Sequence, residues 1–117
     1  MSVSNNYKQG DVVLVPFPFT DLTATKQRPA LVISSDNLNT RGADVVLLAI
    51  TSQIPVNLRP EEFLISAVDQ RACGLPKASL IKLAKVVSLH QSLILKRLGT
   101  LPTGALARVL NQFHQQF

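Results

Sequence analysis

Two places in the sequence set a polar, chemically capable side chain against the end of an apolar run. In KQRPALVIS (26–34), Arg28 stands directly before Pro29 and the run Ala30, Leu31, Val32, Ile33. In DVVLLAITSQ (44–53), Thr51, Ser52 and Gln53 follow the apolar residues 45–50. A guanidinium is costly to bury alone and cannot shed its charge. Its place at the mouth of a strand therefore marks either an ion pair or a seat for an anion. If the two runs are neighbouring strands, Arg28 and Thr51 face one another at a common rim. A forked cation beside a hydroxyl and an amide is suited to holding a phosphate. The plainer alternatives are a pairing of Arg28 with Asp21 or Asp36, and an ordinary β-branched strand residue at Thr51.

Other constellations are poorer. A nucleophile–histidine arrangement needs a histidine near the active strands, but His90 ends one strand-like run and His114 falls in the last helix; both read as surface or half-buried residues. Glu61 and Glu62 are adjacent and would point to opposite faces of a strand, so they do not form a carboxylate pair. Five scattered glycines make no phosphate cradle. The single cysteine, Cys73, excludes an internal disulfide and a cysteine-rich metal site; it reads as a small buried apolar residue. Neither histidine has nearby partner ligands, which argues against zinc. No metal and no cofactor are expected.

These residues must be positioned by one domain, 1–117, with 46% apolar residues, five Phe and no Trp to build its core. Apolar runs are far shorter than a bilayer requires, and MSVSNNYKQGD lacks an apolar signal core, so a soluble cytoplasmic protein is expected. The net charge of +5 is uneven. Residues 1–69 carry five Lys/Arg and all seven Asp/Glu, net −2, whereas residues 70–117 carry seven Lys/Arg and no acid, net +7. That half suits a polyanion or an acidic peptide, or is simply a basic solvated surface.

Gly10-Asp11 is a turn before the β-rich VVLVPFPF, whose Pro16 and Pro18 require an edge or an exit from the sheet there. Residues 20–27 read as a polar loop, 29–34 as a second strand and 35–44 as a loop of turn formers. Residues 45–51 read as a strand covered on both faces, and 63–66 as a short strand. RACGLPKA is a turn. In 79–89, Ile81, Leu83, Val87 and Leu89 share one strand face, and Lys85 interrupts the pattern, which suggests a bend or bulge near Ala84-Lys85. A strand is expected around 95–100. From Thr103, a reasonable N-cap, Leu106, Val109, Leu110, Phe113 and Phe117 form one helix face. The sum is at least five short strands and a C-terminal helix: mainly β, a small, strongly curved antiparallel sheet or half-open barrel closed by a helix.

In order and spacing, QGDVVLVPFPFTD, KQRPALVISSDNLN and DVVLLAITSQI resemble the MazF/PemK family of toxin endoribonucleases; ACGLPKASLIKLAKVVSL and LKRLGTLPTGALARVLNQF fit more loosely. The resemblance spans about residues 7 to 115. It implies an SH3-like barrel of the CcdB-like type, a homodimer, and metal-independent cleavage of single-stranded RNA, chiefly messenger RNA, at short sequences. It also implies a cognate antitoxin whose acidic tail covers the RNA groove, with DNA binding in the antitoxin's company. The family's catalytic arginine and threonine correspond to Arg28 and Thr51. Gln53 would read a base edge, Lys26 would hold a flanking phosphate, and Ser52, Thr20 and Ser34 would line the same groove, Ser34 having the plainer alternative of an ordinary strand-end serine. Many members carry a Gly-Ser-Glu-Gln type loop between the first two strands; TDLTATKQ has no glutamate, so no role of such a residue carries over. A non-catalytic RNA- or partner-binding barrel and a CcdB-like gyrase poison are the competing functions, and the RPALVIS and AITSQ elements favour the ribonuclease.

Overall fold

The computed structural model describes residues 6–17 and 26–117. Their order is β1 (Asp11–Phe17), β2 (Lys26–Val32), α1 (Asp36–Arg41), β3 (Asp44–Thr51), β4 (Glu62–Leu64), α2 (Ala67–Ala72), β5 (Leu80–His90), a 3-10 turn (Gln91–Leu93), β6 (Lys96–Thr100) and α3 (Thr103–Gln115). All six strands join one antiparallel sheet in the order β4-β5-β3-β2-β1-β6. The mainly-β sheet with a C-terminal helix is the architecture expected.

The alternation of side chains across the pleat splits the core in two. Leu48 and Ile50 of β3 join Leu31, Ile81 and Leu83 in a cluster that also takes Ala105 and Val109 of α3. Val45, Leu47 and Ala49 of the same strand join Val13, Val15, Ala30 and Val32 on the opposite face. The central apolar run is therefore covered on both sides, as its unbroken hydrophobicity required. Helix α3 packs with its Ala105, Leu106, Val109, Leu110 and Phe113. Phe117 lies past the helix, 78% exposed, with its ring 4.9 Å from that of Phe113.

Pro16 of β1 sits where pairing allows; Pro18 lies outside the described residues. β6 pairs with β1 only as far as Leu14 opposite Lys96, while β2 continues alongside to Phe17 opposite Lys26. Pro16 therefore has a neighbour on one side only and forfeits no ladder bond on the other. Asp11 ties the strand's start to β6: its buried carboxylate accepts from the Lys8 N–H at 2.8 Å and meets the Arg97 guanidinium at 3.1 Å.

The structure departs from the sequence reading at several points: β2 already begins at Lys26, inside the expected loop, and β4 is Glu62–Leu64 rather than 63–66. The segment 35–44 contains α1, because the Ser35 hydroxyl accepts from the Leu38 N–H and the buried Asn39 anchors it to the Tyr7 and Ser34 carbonyls. RACGLPKA begins inside α2, capped by Ser66 through the Asp69 N–H, and its turn is made by Gly74 at φ +70°. The N-cap of α3 is Pro102, with Thr103 as the first helical residue. In β5 the expected bulge is present, but it is larger than one residue. Ala49 faces Lys82 while Leu48 faces Val86, so Leu83, Ala84 and Lys85 are passed over in the ladder. This odd slip inverts the alternation: Ile81 and Leu83 enter the cluster with α3, whereas Val87 and Leu89 pack on the opposite one.

Helix α2 follows edge strand β4 in the chain yet lies against β6 at the other edge. A side chain on Gly99 would overlap the Ala72 carbonyl oxygen, and one on Gly74 would overlap that of Leu98. Only a strongly bent sheet can bring its two edges to one helix, which is the half-open barrel. Among the described residues no helix is long and apolar enough to cross a membrane.

Candidate active site

The β2–β3 ladder pairs Val32 with Leu47 and Ala30 with Ala49, and it ends at Pro29, which has no N–H to donate. Two residues beyond Ala30 and Ala49, the same register sets Arg28 across from Thr51. The strands are no longer paired there, and both side chains leave from the face of Ala30 and Ala49. Pro29 thus opens a notch whose two lips are the residues singled out from sequence.

Arg28 and Thr51 line two clefts at this sheet end. The larger, about 360 Å³, adds Leu14, Pro29, Leu75, Leu98, Lys77 and Lys96 among its walls. The smaller, about 230 Å³, adds Ala49, Gln53, Lys82 and Lys85. Among the described residues no aspartate or glutamate lines either. Arg28 is half-buried with its Nε shielded from solvent. The Thr51 hydroxyl oxygen accepts the Gln53 N–H at 3.1 Å, which leaves its hydrogen to donate outward. Among the described residues, five cations, Arg28, Lys77, Lys82, Lys85 and Lys96, line the two clefts.

The other residues singled out fare differently. Ser52 lines the larger cleft and Gln53 the smaller. Lys26 is exposed at the start of β2, two residues before Arg28 and so on its face of the strand. Thr20 and Asp21 lie outside the described residues. Ser34 does not join the site: it is buried beyond the far end of β2, donates to the Asn39 side chain and accepts from the Val46 N–H at 3.0 Å. Asp36, also beyond that end, binds the Gln9 N–H at 2.7 Å. Glu62 accepts the Arg59 N–H at 2.9 Å, and Glu61 lies 4.0 Å from the Arg59 guanidinium; neither lines a cleft. His90 bonds Ser92 at the end of β5 and His114 is exposed on α3. Burial, and then the Asp69 carboxylate, push the Cys73 thiol up to about 11, so at neutral pH it is a neutral core group. Among the described residues no three His, Cys, Asp or Glu gather as metal ligands.

Four lysines of the site were not individually foreseen: Lys77, Lys82, Lys85 and Lys96. All come from the acid-free stretch 70–117, which was the available signal. Lys82 and Lys85 arrive through the β5 bulge, and Lys96 arrives from the far edge of the sheet.

The class these features define is a bent antiparallel barrel with an Arg–Thr notch between clefts lined by lysines. Residues 8–117 match the family described as PemK-like, MazF-like toxin of type II toxin-antitoxin system, and the chain belongs to that family. It is 32% identical over 85 residues to endoribonuclease MazF6 of Mycobacterium tuberculosis, covering 72% of each chain. Its fold is similar to that of a mycobacterial endoribonuclease (TM-score 0.75, 18% identity, 97% of this chain and 93% of that one). It is equally similar to a chain of the MazE–MazF complex of Deinococcus radiodurans (TM-score 0.75, 21% identity, 97% and 96%).

Proposed function

We propose that this chain is the toxin of a type II toxin–antitoxin pair and an endoribonuclease that cuts single-stranded RNA, chiefly messenger RNA, in the cytoplasm. The observation that carries the reading is the notch: register sets Arg28 across from Thr51 where the β2–β3 ladder stops, between clefts lined by lysines. The endoribonuclease names of its relatives support it.

The chemistry that fits these groups uses the RNA's own nucleophile. The 2′-oxygen attacks the adjacent phosphorus, the bond from phosphorus to the 5′-oxygen breaks, the 2′-hydroxyl proton is lost to solvent, and the leaving oxygen gains a proton. The products are a 2′,3′-cyclic phosphate and a 5′-hydroxyl. A guanidinium keeps its proton, so Arg28 acts electrostatically on the charge that gathers on the phosphorane. Thr51 donates to a non-bridging oxygen, its acceptor side being held by the Gln53 N–H. Lys82, Lys85 and Lys26 hold flanking phosphates, and Gln53 offers donor and acceptor to a base edge. No metal takes part in this route. DNA, lacking the 2′-hydroxyl, binds but is not cut. The same cationic groove receives the extended acidic tail of a cognate antitoxin, and the toxin acts as a homodimer.

The test is to incubate EDTA-treated protein, wild type and Arg28→Ala, with a long single-stranded RNA and its DNA counterpart, and to identify the ends. RNA cut by the wild type alone, leaving cyclic phosphate and 5′-hydroxyl termini, is the expected result. Intact RNA with folded wild-type protein sinks the catalytic reading.

A further inference from the structure

The two clefts flanking the Arg28–Thr51 notch differ in chemistry, and the difference bears on which RNA sequence is cut. The smaller one, with Lys82, Lys85 and Gln53, is polar and suits the sugar–phosphate chain. The larger one is walled by Leu14, Pro29, Leu75, Pro76 and Leu98, and its volume of about 360 Å³ falls within the range of pockets that hold small organic ligands. By strand alternation, Pro29 and Ile50 point away from the face that carries Arg28 and Thr51. The larger cleft therefore lies over the rim from the smaller one. A nucleotide whose phosphate sits in the notch can send its backbone one way and its base the other.

Two side chains add direction to the apolar pocket. Lys77 and Lys96 stand at its border, and neither is ion-paired among the described residues. An ammonium has three donors and no acceptor. Ser79, the buried polar residue of the pocket, already donates its hydroxyl to the Lys77 carbonyl at 2.9 Å. The Ser52 hydroxyl can donate or accept and so does not discriminate. Guanine O6 and uracil O4 present an acceptor to this donor set. At the same ring positions adenine and cytosine carry an amino group, N6 or N4, which would place donor against donor.

We propose that the larger cleft is a nucleobase pocket that selects keto bases, guanine or uracil, beside the scissile phosphate through Lys77 and Lys96. The proposal rests on the ribonuclease reading and adds its sequence preference at one position.

The test is cleavage of a randomised single-stranded RNA pool with both new ends sequenced, for the wild type, Lys77→Gln/Lys96→Gln and Lys82→Gln/Lys85→Gln. Glutamine offers both donor and acceptor, and Lys77, Lys85 and Lys96 are exposed while Lys82 is half-buried, so the fold should persist; thermal melts verify it. Guanine and uracil should be favoured about tenfold over adenine and cytosine at one position next to the cut. The first double variant should bring that position near parity and leave preferences elsewhere in place. The second should weaken cleavage of all sequences alike and leave the keto preference intact. A wild type that cuts without keto preference, or a preference unchanged by Lys77→Gln/Lys96→Gln, overturns the pocket and leaves the ribonuclease standing. If that variant keeps its base preference but loses an acidic peptide probe, the cleft belongs to a protein partner and the proposal fails. A wild type that cuts no RNA removes the reading beneath it as well.

Discussion

Replacing Thr51 by valine separates catalysis from folding in a single substitution. Valine keeps the shape and β-branching of threonine at the strand end, so the backbone preference is preserved. Among the described residues the bond lost is the one from the Gln53 N–H at 3.1 Å, and Gln53 is exposed, so water replaces it. The stability cost is about 0.5–1 kcal/mol, a fall in melting temperature of roughly 8 °C at most for a domain of this size. The catalytic cost is different in kind. If the hydroxyl donates to an oxygen that gains charge on the way to the phosphorane, its removal costs about 3 kcal/mol, near a hundredfold in rate. Thr51→Ser retains the donor and should stay within about tenfold of the wild type. Single-turnover cleavage of an end-labelled RNA, with enzyme in excess, measures the chemical step, and melting curves measure the other axis. A valine variant within threefold of the wild-type rate, or one already unfolded at the assay temperature, would refute the reasoning.

Gly99→Ala should destabilise the fold by more than about 2 kcal/mol, because the added methyl meets the Ala72 and Cys73 backbone, which cannot step aside. Gly104→Ala, with only the Arg108 side chain 3.9 Å away, should stabilise it by about 0.5 kcal/mol; urea titrations compare the two. Cys73 should resist thiol reagents at pH 8 until the protein unfolds. Because its folded value of about 11 exceeds the ordinary 9.0, the unfolded chain gives up the proton first, so its contribution to stability is whole below about pH 9 and is lost as pH rises toward 11. Lys82→Ala/Lys85→Ala should lower the slope of log affinity against log salt for single-stranded RNA by roughly 1.4, measured by fluorescence anisotropy.

How much of this could be read in the sequence depended on how locally each feature is determined. The runs of β1, β2 and β3 announce themselves because burial on one or both faces leaves a regular apolar pattern. The placing of Arg28 and Thr51 at one end of the sheet followed from them, since each residue borders a run and adjacent antiparallel strands bring such ends together. Helices α1 and α2 are each six residues long, too short for a periodic stripe; Ser35 and Ser66 fix them through single capping bonds, which look like turn residues in sequence. The lysine rim was the least visible. Lys85 looked like a flaw in a strand face, and only a slip against β3 places it with Lys82. Lys96 belongs to a strand that sequence separates from β3 by all of β5, and curvature of the sheet returns it to the notch.

The passed-over segment Leu83–Lys85 makes β5 a strand read in two phases. Before it, odd-numbered residues enter the cluster that holds α3; after it, odd-numbered ones pack on the opposite cluster and even-numbered ones are exposed. The tolerance of this segment to changes in length is consequently a matter of parity. Removing or adding two residues lengthens or shortens the kink and leaves every later side chain on its own side. Removing or adding one turns Val87 and Leu89 outward and drives Ser88 into their place, at the cost of a core. Relatives of this chain should therefore differ here by even numbers of residues, and a lysine carried on the kink can be moved along the groove without disturbing the barrel that holds it.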